Sequence, residues 1–226
     1  MPKLIDHTER KEFLSAAVWK LLDEHGVSAI SIRNVAAEAG ISAGSLRHSF
    51  KSRLDLLEYA LQLLTDRIQE NVRARARDGL TVDGAVRILE FQIPLIPATE
   101  TYARVMMGMI AEMRSTPELR KIAHRSLQQL RITYHDMFAW LERAGELKPG
   151  TDAAAQADQL LILGQGITAK TILDGRRSEP VDLSRAFRTH LNMVLVHPVP
   201  YLTEEEIAEL TKELARYRST SSSSVH

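Results

Sequence analysis

Apolar residues recur at intervals of three and four positions along nearly the whole chain, the spacing typical of amphipathic helices. No sustained run of alternating apolar and polar residues between turn residues indicates a β-strand. The pattern therefore predicts an all-α fold. Glycines, prolines and capping residues divide the chain into helices expected at about 8–26, 31–39, 42–49, 52–77, 82–93, 100–114, 117–143, 153–173, 183–196 and 204–217.

The stretch from Ser31 to Phe50 contains two very short helical segments separated by a glycine. Two helices that cross over a short turn need a small residue where their backbones approach, which Ala36 supplies. They also need a turn residue that tolerates positive φ, which Gly40 supplies. The stretch is predicted to be a helix-turn-helix whose second helix carries small side chains near its N-terminus and can enter a major groove.

The charge distribution supports this interpretation. Lys plus Arg and Asp plus Glu each total 29, so affinity for nucleic acid has to come from a local patch. Between residues 31 and 53, the bases Arg33, Arg47, Lys51 and Arg53 face the single acid Glu38. The alternative, two short core helices joined by an accidental glycine turn, leaves the coincidence of small, glycine, apolar and basic positions unexplained.

The motif resembles the N-terminal domain of the tetracycline-repressor (TetR) family. The residues that carry the resemblance are Ala16-Ala17, Gly26, Ser31-Ile32-Arg33-Asn34-Val35-Ala36, Ala39-Gly40-Ile41-Ser42, Gly44, Leu46 and Phe50. In that family Thr or Ser caps the first short helix, an aromatic residue follows the leucine of the recognition helix, and lysine begins the next helix. Ser31, Arg47 and Arg53 stand at those places here. The version Leu46-Arg47-His48-Ser49-Phe50 is similar to the choline-responsive branch.

This resemblance covers roughly the first 60 residues. It implies a homodimeric repressor that binds a palindromic operator in double-stranded DNA and responds to a small-molecule effector. Arg47 replaces the usual tyrosine, so it could contact a phosphate or a guanine edge. The candidate DNA-binding residues are Ser31, Arg33, Ser42, Ala43, Gly44, Ser45, Arg47, His48, Lys51 and Arg53.

The remaining helices carry candidates for an effector pocket. Four methionines fall between residues 106 and 113, and a later helix supplies aromatic residues. Flexible thioethers and aromatic rings suit a cavity for apolar ligands, although they also suit an ordinary helical core. The candidate ligand-binding residues are Phe91, Met106, Met109, Met113, Tyr134, Met137 and Phe138.

Two late helices, 153–173 and 183–196, combine large apolar residues with glycines that allow close helix packing. The resemblance implies that these helices form a four-helix dimer interface with a second copy, and a core pair within one chain is the alternative. The candidate interface residues are Leu160, Gly164, Ile167, Phe187, Leu191 and Val194.

Several classes of chemistry have no support in the sequence. The absence of cysteine excludes disulfides, thiolate catalysis and cysteine-ligated metal sites. His124 and His135 are spaced too loosely for metal ligation, and no phosphate loop or nucleophile elbow occurs. We therefore expect no metal, no cofactor and no enzymatic activity. Without a signal-peptide core or an apolar run of membrane-spanning length, a cytoplasmic location and no membrane partner are expected.

The predicted organisation is a DNA-binding domain at 1–55, a ligand-binding and dimerisation domain at 56–218, and a disordered tail at 219–226. Ligand binding would lower DNA affinity by favouring the wrong separation of the two recognition helices. Two rival functions use the same scaffold. One is an all-α enzyme, which needs converging titratable groups in the pocket, and the other is an adaptor for protein interaction.

Overall fold

A computed structural model describes residues 7–62, 79–175 and 178–212 of the chain. The all-α prediction is confirmed: within these ranges one isolated β-bridge, between Leu147 and Leu195, is the sole strand-like feature. A 3-10 turn at Val27–Ala29 follows the first helix. The helices are α1 His7–His25, α2 Ile32–Glu38, α3 Ala43–Arg47, α4 53–62, α5 Val82–Glu90, α6 Pro97–Glu112, α7 Glu118–Arg143, α8 Ala153–Asp174, α9 Pro180–Val194 and α10 204–212.

Capping side chains begin these helices. At α2, α3, α5 and α8, the side chain of a serine, threonine or aspartate accepts a hydrogen bond from the backbone N–H three residues later. The capping box predicted for the last helix is present, because Thr203 N donates to Glu206 Oε2 at 2.9 Å and Glu206 N donates to Thr203 Oγ1 at 3.2 Å.

Two helices begin earlier than the apolar pattern predicts. Pro97 begins α6 and Pro180 begins α9, each about three residues before the expected start. Proline is well suited to the first turn of a helix, since its missing N–H has no partner there in any case. The predicted helix at 82–93 ends instead at Glu90, because the following segment turns before Pro94.

The described residues pack as two units. The N-terminal unit is formed by the described residues of 1–67 together with 104–123, and the C-terminal unit by those of 68–103 and 124–226. This grouping differs from the predicted division at residue 55, because the second half of α6 packs on α1 and the 3-10 turn. Part of the predicted helix at 52–77 and all of the predicted disordered tail at 219–226 lie outside the described residues.

The core of the C-terminal unit is built from the inner faces of α5, α7, α8 and α9. Tyr134, Phe138 and Phe187 are completely buried in it, and each such side chain contributes roughly 1.5–3 kcal/mol of hydrophobic free energy. Gly164 allows α8 to approach closely, since a Cβ at this position would lie 3.3 Å from Tyr134 Oη. The glycine therefore serves packing within the chain.

A buried ion pair joins α5 to α9 inside this core. Glu90 and Arg188 are 3% and 0% exposed, and Arg188 Nη2 lies 2.5 Å from Glu90 Oε2. Arg188 Nε and Ser184 Oγ each donate to Glu90 Oε1 at 2.7 Å, and Arg188 Nη1 donates to the carbonyl of Pro200. Each charge is thus neutralised and hydrogen-bonded, which a buried ion pair requires.

The search for membrane spans covered the described residues. None of the helices there is long and apolar enough to cross a bilayer. Within the same ranges, no three histidine or carboxylate side chains converge in a way that could hold a metal ion.

Candidate DNA interface

The predicted helix-turn-helix is present between Ser31 and Phe50. Val35, Ala36 and Leu46 are buried between α2 and α3. The turn is closed by the Ile41 N–H, which donates to the carbonyl of Ala36 at 2.9 Å. Gly40 has a φ of +60°, the left-handed conformation for which glycine was expected. These contacts fix α3 against α2 even though each helix is too short to be stable alone.

Serine caps set where both short helices begin. Ser31 Oγ accepts from Asn34 N at 3.1 Å, and Ser42 Oγ accepts from Ser45 N at 3.0 Å. The Asn34 side chain also donates to the carbonyl of Ala29 at 2.9 Å and ties α2 to the preceding turn. The caps confirm the prediction that a serine opens each segment.

Most of the candidate contact residues lie on one exposed stretch of surface. Ser31 and Ser45 are half-buried. The side chains that are exposed are Arg33, Ser42, Ala43, Gly44, Arg47, His48 and Lys51. Because the residues at the start of α3 are small, its backbone could approach a groove closely while longer basic side chains reach outward. Their contact with DNA stays a prediction.

Arg53, the tenth candidate, is engaged inside the N-terminal unit. Its Nε and Nη2 donate to the carbonyls of Ile30 and Val27 at 2.9 and 3.0 Å. Its Nη1 and Nη2 donate to the Glu112 carboxylate at 2.7 and 3.1 Å. The guanidinium thus ties the start of α4 to the turn before α2 and to the end of α6, which gives Arg53 a positioning role.

The acids near this surface are already bonded within the protein. Lys20 Nζ lies 2.8 Å from Glu38 Oε1, and this bond raises the pKa of Lys20. Asp55 Oδ2 accepts from the backbone N–H groups of Lys51 and Ser52 at 2.8 and 3.2 Å. The Ser52 hydroxyl and these amides lower the pKa of Asp55. The basic side chains of the exposed surface therefore face no unpaired carboxylate from these two residues.

The second half of α6 packs on the helix-turn-helix at three points. Arg104 Nη2 lies 2.8 Å from Asp23 Oδ1 on α1, and Glu112 binds Arg53 as described above. Between them, a Cβ at Gly108 would lie 3.1 Å from a methyl carbon of Val27. Sequence reasoning missed Glu112 and Arg104, because their partners lie 59 and 81 residues away and no local pattern links them.

The predicted ligand residues divide between the two units. Met106 and Met109 are buried in the N-terminal unit, where Met113 is half-buried. The others belong to the C-terminal unit. There Tyr134 and Phe138 are buried while Phe91 and Met137 are half-buried. Tyr134 donates to the Leu89 carbonyl at 3.1 Å, and burial raises its pKa. Phe91 alone among the seven lines the cleft described below.

The predicted dimer residues lie on the inner faces of α8 and α9. Leu160, Gly164, Ile167, Phe187 and Leu191 are buried within the chain, and Val194 is half-buried. The outer faces of the same helices carry other large apolar side chains. These are Ile162 at 67% exposure, Leu173 at 83% and Met193 at 60%, with Val196 just beyond α9. The spacing of Ile162, Gly166, Ala169 and Leu173 on one helix face was the signal for them.

Replacement of Gly40 by valine is expected to reduce binding to duplex DNA to the non-specific level. A β-branched residue in the left-handed conformation costs about 1–3 kcal/mol, so the turn would relax and re-aim α3. A Cβ at Gly40 would meet no atom within 4 Å, and the whole penalty therefore comes from the backbone.

Fluorescence anisotropy with labelled DNA measures this effect. Gly40→Asn is the matched control, because asparagine tolerates positive φ and is expected to keep binding. Full affinity in Gly40→Val would show that α3 does not depend on this turn.

Two family matches cover most of the chain. Residues 14–60 match the bacterial regulatory proteins of the tetR family. Residues 81–196, just over half of the chain, match the C-terminal domain of BetI-type transcriptional repressors. Both the exposed helix-turn-helix and the bundle of α5 to α9 thus fall within matched regions.

Individual relatives extend over nearly the whole length. The HTH-type transcriptional regulator PksA of Bacillus subtilis is 28% identical over 197 residues, which cover 87% of this chain and 95% of that protein. The crystal structure of a transcriptional regulator from Rhodococcus sp. Rha1 has a TM-score of 0.67 at 25% identity and covers 84% of this chain and 99% of that one. A regulator from Saccharomonospora viridis, solved in complex with choline, has a TM-score of 0.72 at 18% identity, with coverages of 84% and 99%. At that identity the likeness concerns the fold alone.

Proposed function

This chain belongs to the TetR family of transcriptional regulators and has a BetI-type C-terminal domain, and on that basis we propose that it is a ligand-responsive repressor which binds a palindromic operator as a homodimer. The observation that carries the proposal is the helix-turn-helix whose capped second helix leaves its small and basic side chains exposed. A family of regulators rather than enzymes accounts for this surface.

In the proposed complex, α3 lies in the major groove. Ser42, Ala43, Gly44 and Ser45 lie at its N-terminal end, the part of a recognition helix that contacts base edges. Arg33, Arg47, His48 and Lys51 supply positive charge or hydrogen-bond donors to phosphates or base edges, and Ser31 lies at the start of α2. Arg53 holds this surface in place through its internal bonds and supports binding indirectly.

The homodimer is proposed to form through the outer faces of α8 and α9. One helix-turn-helix covers little DNA, so useful affinity requires two copies about 34–36 Å apart or a multiple of that spacing. Residues of the inner faces are already buried within the chain, and the side chains available to a second copy are those of Ile162, Leu173 and Met193. Apolar surface of this kind, exposed on both late helices, fits a four-helix interface.

The ligand response is proposed to involve α6. This helix begins in the C-terminal unit, and from Arg104 onward it belongs to the unit that carries the helix-turn-helix. A change in α6 on ligand binding would act on α1 through Arg104 and on the base of α2 through Glu112 and Arg53. The repressor would then populate a conformation with the wrong spacing between recognition helices.

The experiment that tests this function is operator binding by Arg47→Ala and Lys51→Ala. An operator is first selected from a random duplex library with the wild-type protein. Loss of a phosphate contact should weaken binding to all sequences and reduce the slope of log K against log salt by about one. If Arg47 reads a guanine instead, its removal should cost about 1–3 kcal/mol at one base pair and relax specificity there.

Exposed basic residues far along the chain provide matched controls. Arg143→Ala and Lys212→Ala remove the same charges from the ends of α7 and α10 and are expected to leave the isotherms unchanged. Wild-type protein that binds no duplex even at low salt, where phosphate contacts are strongest, would reject the repressor and favour an adaptor.

A further inference from the structure

A cleft in the C-terminal unit lies between α5, the segment that follows it, and α10. It encloses an empty volume of about 330 Å³, part of which is open to solvent. Leu210 contributes the α10 side, and this helix lies beyond residues 81–196 of the BetI-type match. The residues that line the cleft are Arg87, Glu90, Phe91, Ile93, Leu95, Ile96, Thr99 and Leu210.

The polar groups of this lining are bonded to other protein groups. Thr99 Oγ1 donates to the Ile96 carbonyl at 3.0 Å and accepts from the Ile96 N–H at 3.2 Å. Glu90 is held by Arg188 and Ser184, as described above. A polar ligand atom entering the cleft would have to displace one of these bonds or lose its own water without replacement.

Arg87, the remaining charged residue of the lining, is paired on two sides. Its Nε lies 2.7 Å from Asp83 Oδ2, and its Nη2 lies 3.6 Å from Glu206 Oε1 at the start of α10. An anionic ligand would compete with both carboxylates for this guanidinium. The five remaining lining residues are apolar, and they offer only shape and dispersion contacts.

We propose that this cleft binds a neutral, apolar small molecule and that Leu210 of α10 forms part of its binding surface. The inference deepens the ligand response of the proposed repressor and rests on it for its biological role. Binding would bury apolar surface of the ligand against Phe91, Ile93 and Leu95 without uncovering any unsatisfied polar group.

The lining is unsuited to a quaternary ammonium ligand such as the choline bound by the Saccharomonospora viridis regulator. Recognition of such a cation relies on several aromatic faces around the ammonium group. Phe91 is the one aromatic ring among the residues that line the cleft. The guanidinium of Arg87 would repel a cation, and the carboxylate of Glu90 is already neutralised by Arg188.

The contribution of α10 can be tested at a single side chain. Leu210 is half-buried, whereas its neighbours Leu202 and Ile207 are buried and attach this segment to the core. A larger side chain at 210 would occupy the cleft, while substitutions on the exposed side of α10 should leave the cleft unchanged. Glu209 provides that exposed position one residue away.

The test is a fluorescence titration of the full-length protein with N-phenyl-1-naphthylamine, a neutral apolar dye that brightens when it leaves water. Saturable binding of one dye per chain is expected. Leu210→Trp should weaken it at least about tenfold, which corresponds to 1.4 kcal/mol, and Glu209→Ala should leave it unchanged. Wild-type affinity in Leu210→Trp would overturn the proposal.

Displacement experiments on the unmodified protein make the test independent of how the variants fold. Octan-1-ol should displace the dye, whereas octanoate, which adds a charge to the same chain length, should do so at least about tenfold less well. Choline should not displace it. Displacement by choline, or equal potency of alcohol and carboxylate, would overturn the neutral ligand class.

These outcomes are separate from those of the proposed function. A protein that binds its operator but not the dye would contradict this inference and leave the repressor intact. A protein that binds the dye through Leu210 but no duplex DNA would support the ligand site and reject the repressor.

Discussion

An Ile162→Glu variant is expected to sediment as a folded monomer and to lose at least about a hundredfold in operator affinity, although its DNA-contacting residues are unchanged. Ile162 is 67% exposed on the outer face of α8, so glutamate is tolerated in the single chain. In a symmetric dimer the substitution appears twice and would bury two unpaired carboxylates, each of which costs several kcal/mol. Every 1.4 kcal/mol lost corresponds to tenfold in affinity.

Analytical ultracentrifugation gives the oligomeric state and anisotropy gives the operator affinity. Ile132→Glu is the matched control, because Ile132 is 51% exposed on α7 and the substitution makes the same chemical change. The control is expected to remain dimeric, and circular dichroism should show equal helix content in both variants. A folded Ile162→Glu monomer that binds one palindrome as tightly as wild type would contradict the two-site mechanism.

Removal of the Glu90 carboxylate is expected to have the largest effect on stability. Glu90→Ala leaves the guanidinium of Arg188 buried without a counter-charge, and it also removes the acceptor of Ser184. Breaking a buried pair in this way typically costs about 3–5 kcal/mol. That loss is comparable to much of the stability of an ordinary domain, so a large fall in the denaturation midpoint is expected.

Urea denaturation followed by circular dichroism measures this change. The double variant Glu90→Met with Arg188→Met removes both charges while keeping similar volume, and it should recover most of the loss. Asp174→Ala breaks the exposed pair with Lys170 and is expected to leave the midpoint unchanged. If Glu90→Ala unfolds at the wild-type midpoint, the ion pair contributes nothing to holding α5 on α9.

The helix-turn-helix could be predicted from the sequence because its determinants are local. Ser31 and Ser42 cap helices three residues ahead, and Gly40 supplies a conformation that few other residues adopt. Such features depend on neighbours within one or two turns of chain, so they are legible without the fold. The family match then confirmed the class of protein that this local pattern indicated.

The predicted effector and interface residues show where the sequence was insufficient. An apolar residue on a helix can face the core of its own chain or a second copy, and periodicity marks only the stripe. For α8 the buried stripe with Leu160 and Gly164 packs within the chain, and the stripe with Ile162 and Leu173 stays exposed. The choice is made by which neighbours pack on each face, and those neighbours are distant in sequence.

By itself, the sequence determined the all-α class, the order of the helices and the DNA-binding motif, because propensity, capping and helical periodicity act over a few residues. Only the tertiary structure decided that Arg53 holds the motif through Glu112 and that Glu90 and Arg188 meet in the core. It also decided that Leu210 lies beside Phe91 at the cleft. These partners are separated by 59, 98 and more than a hundred residues, so only packing of the folded chain brings them together.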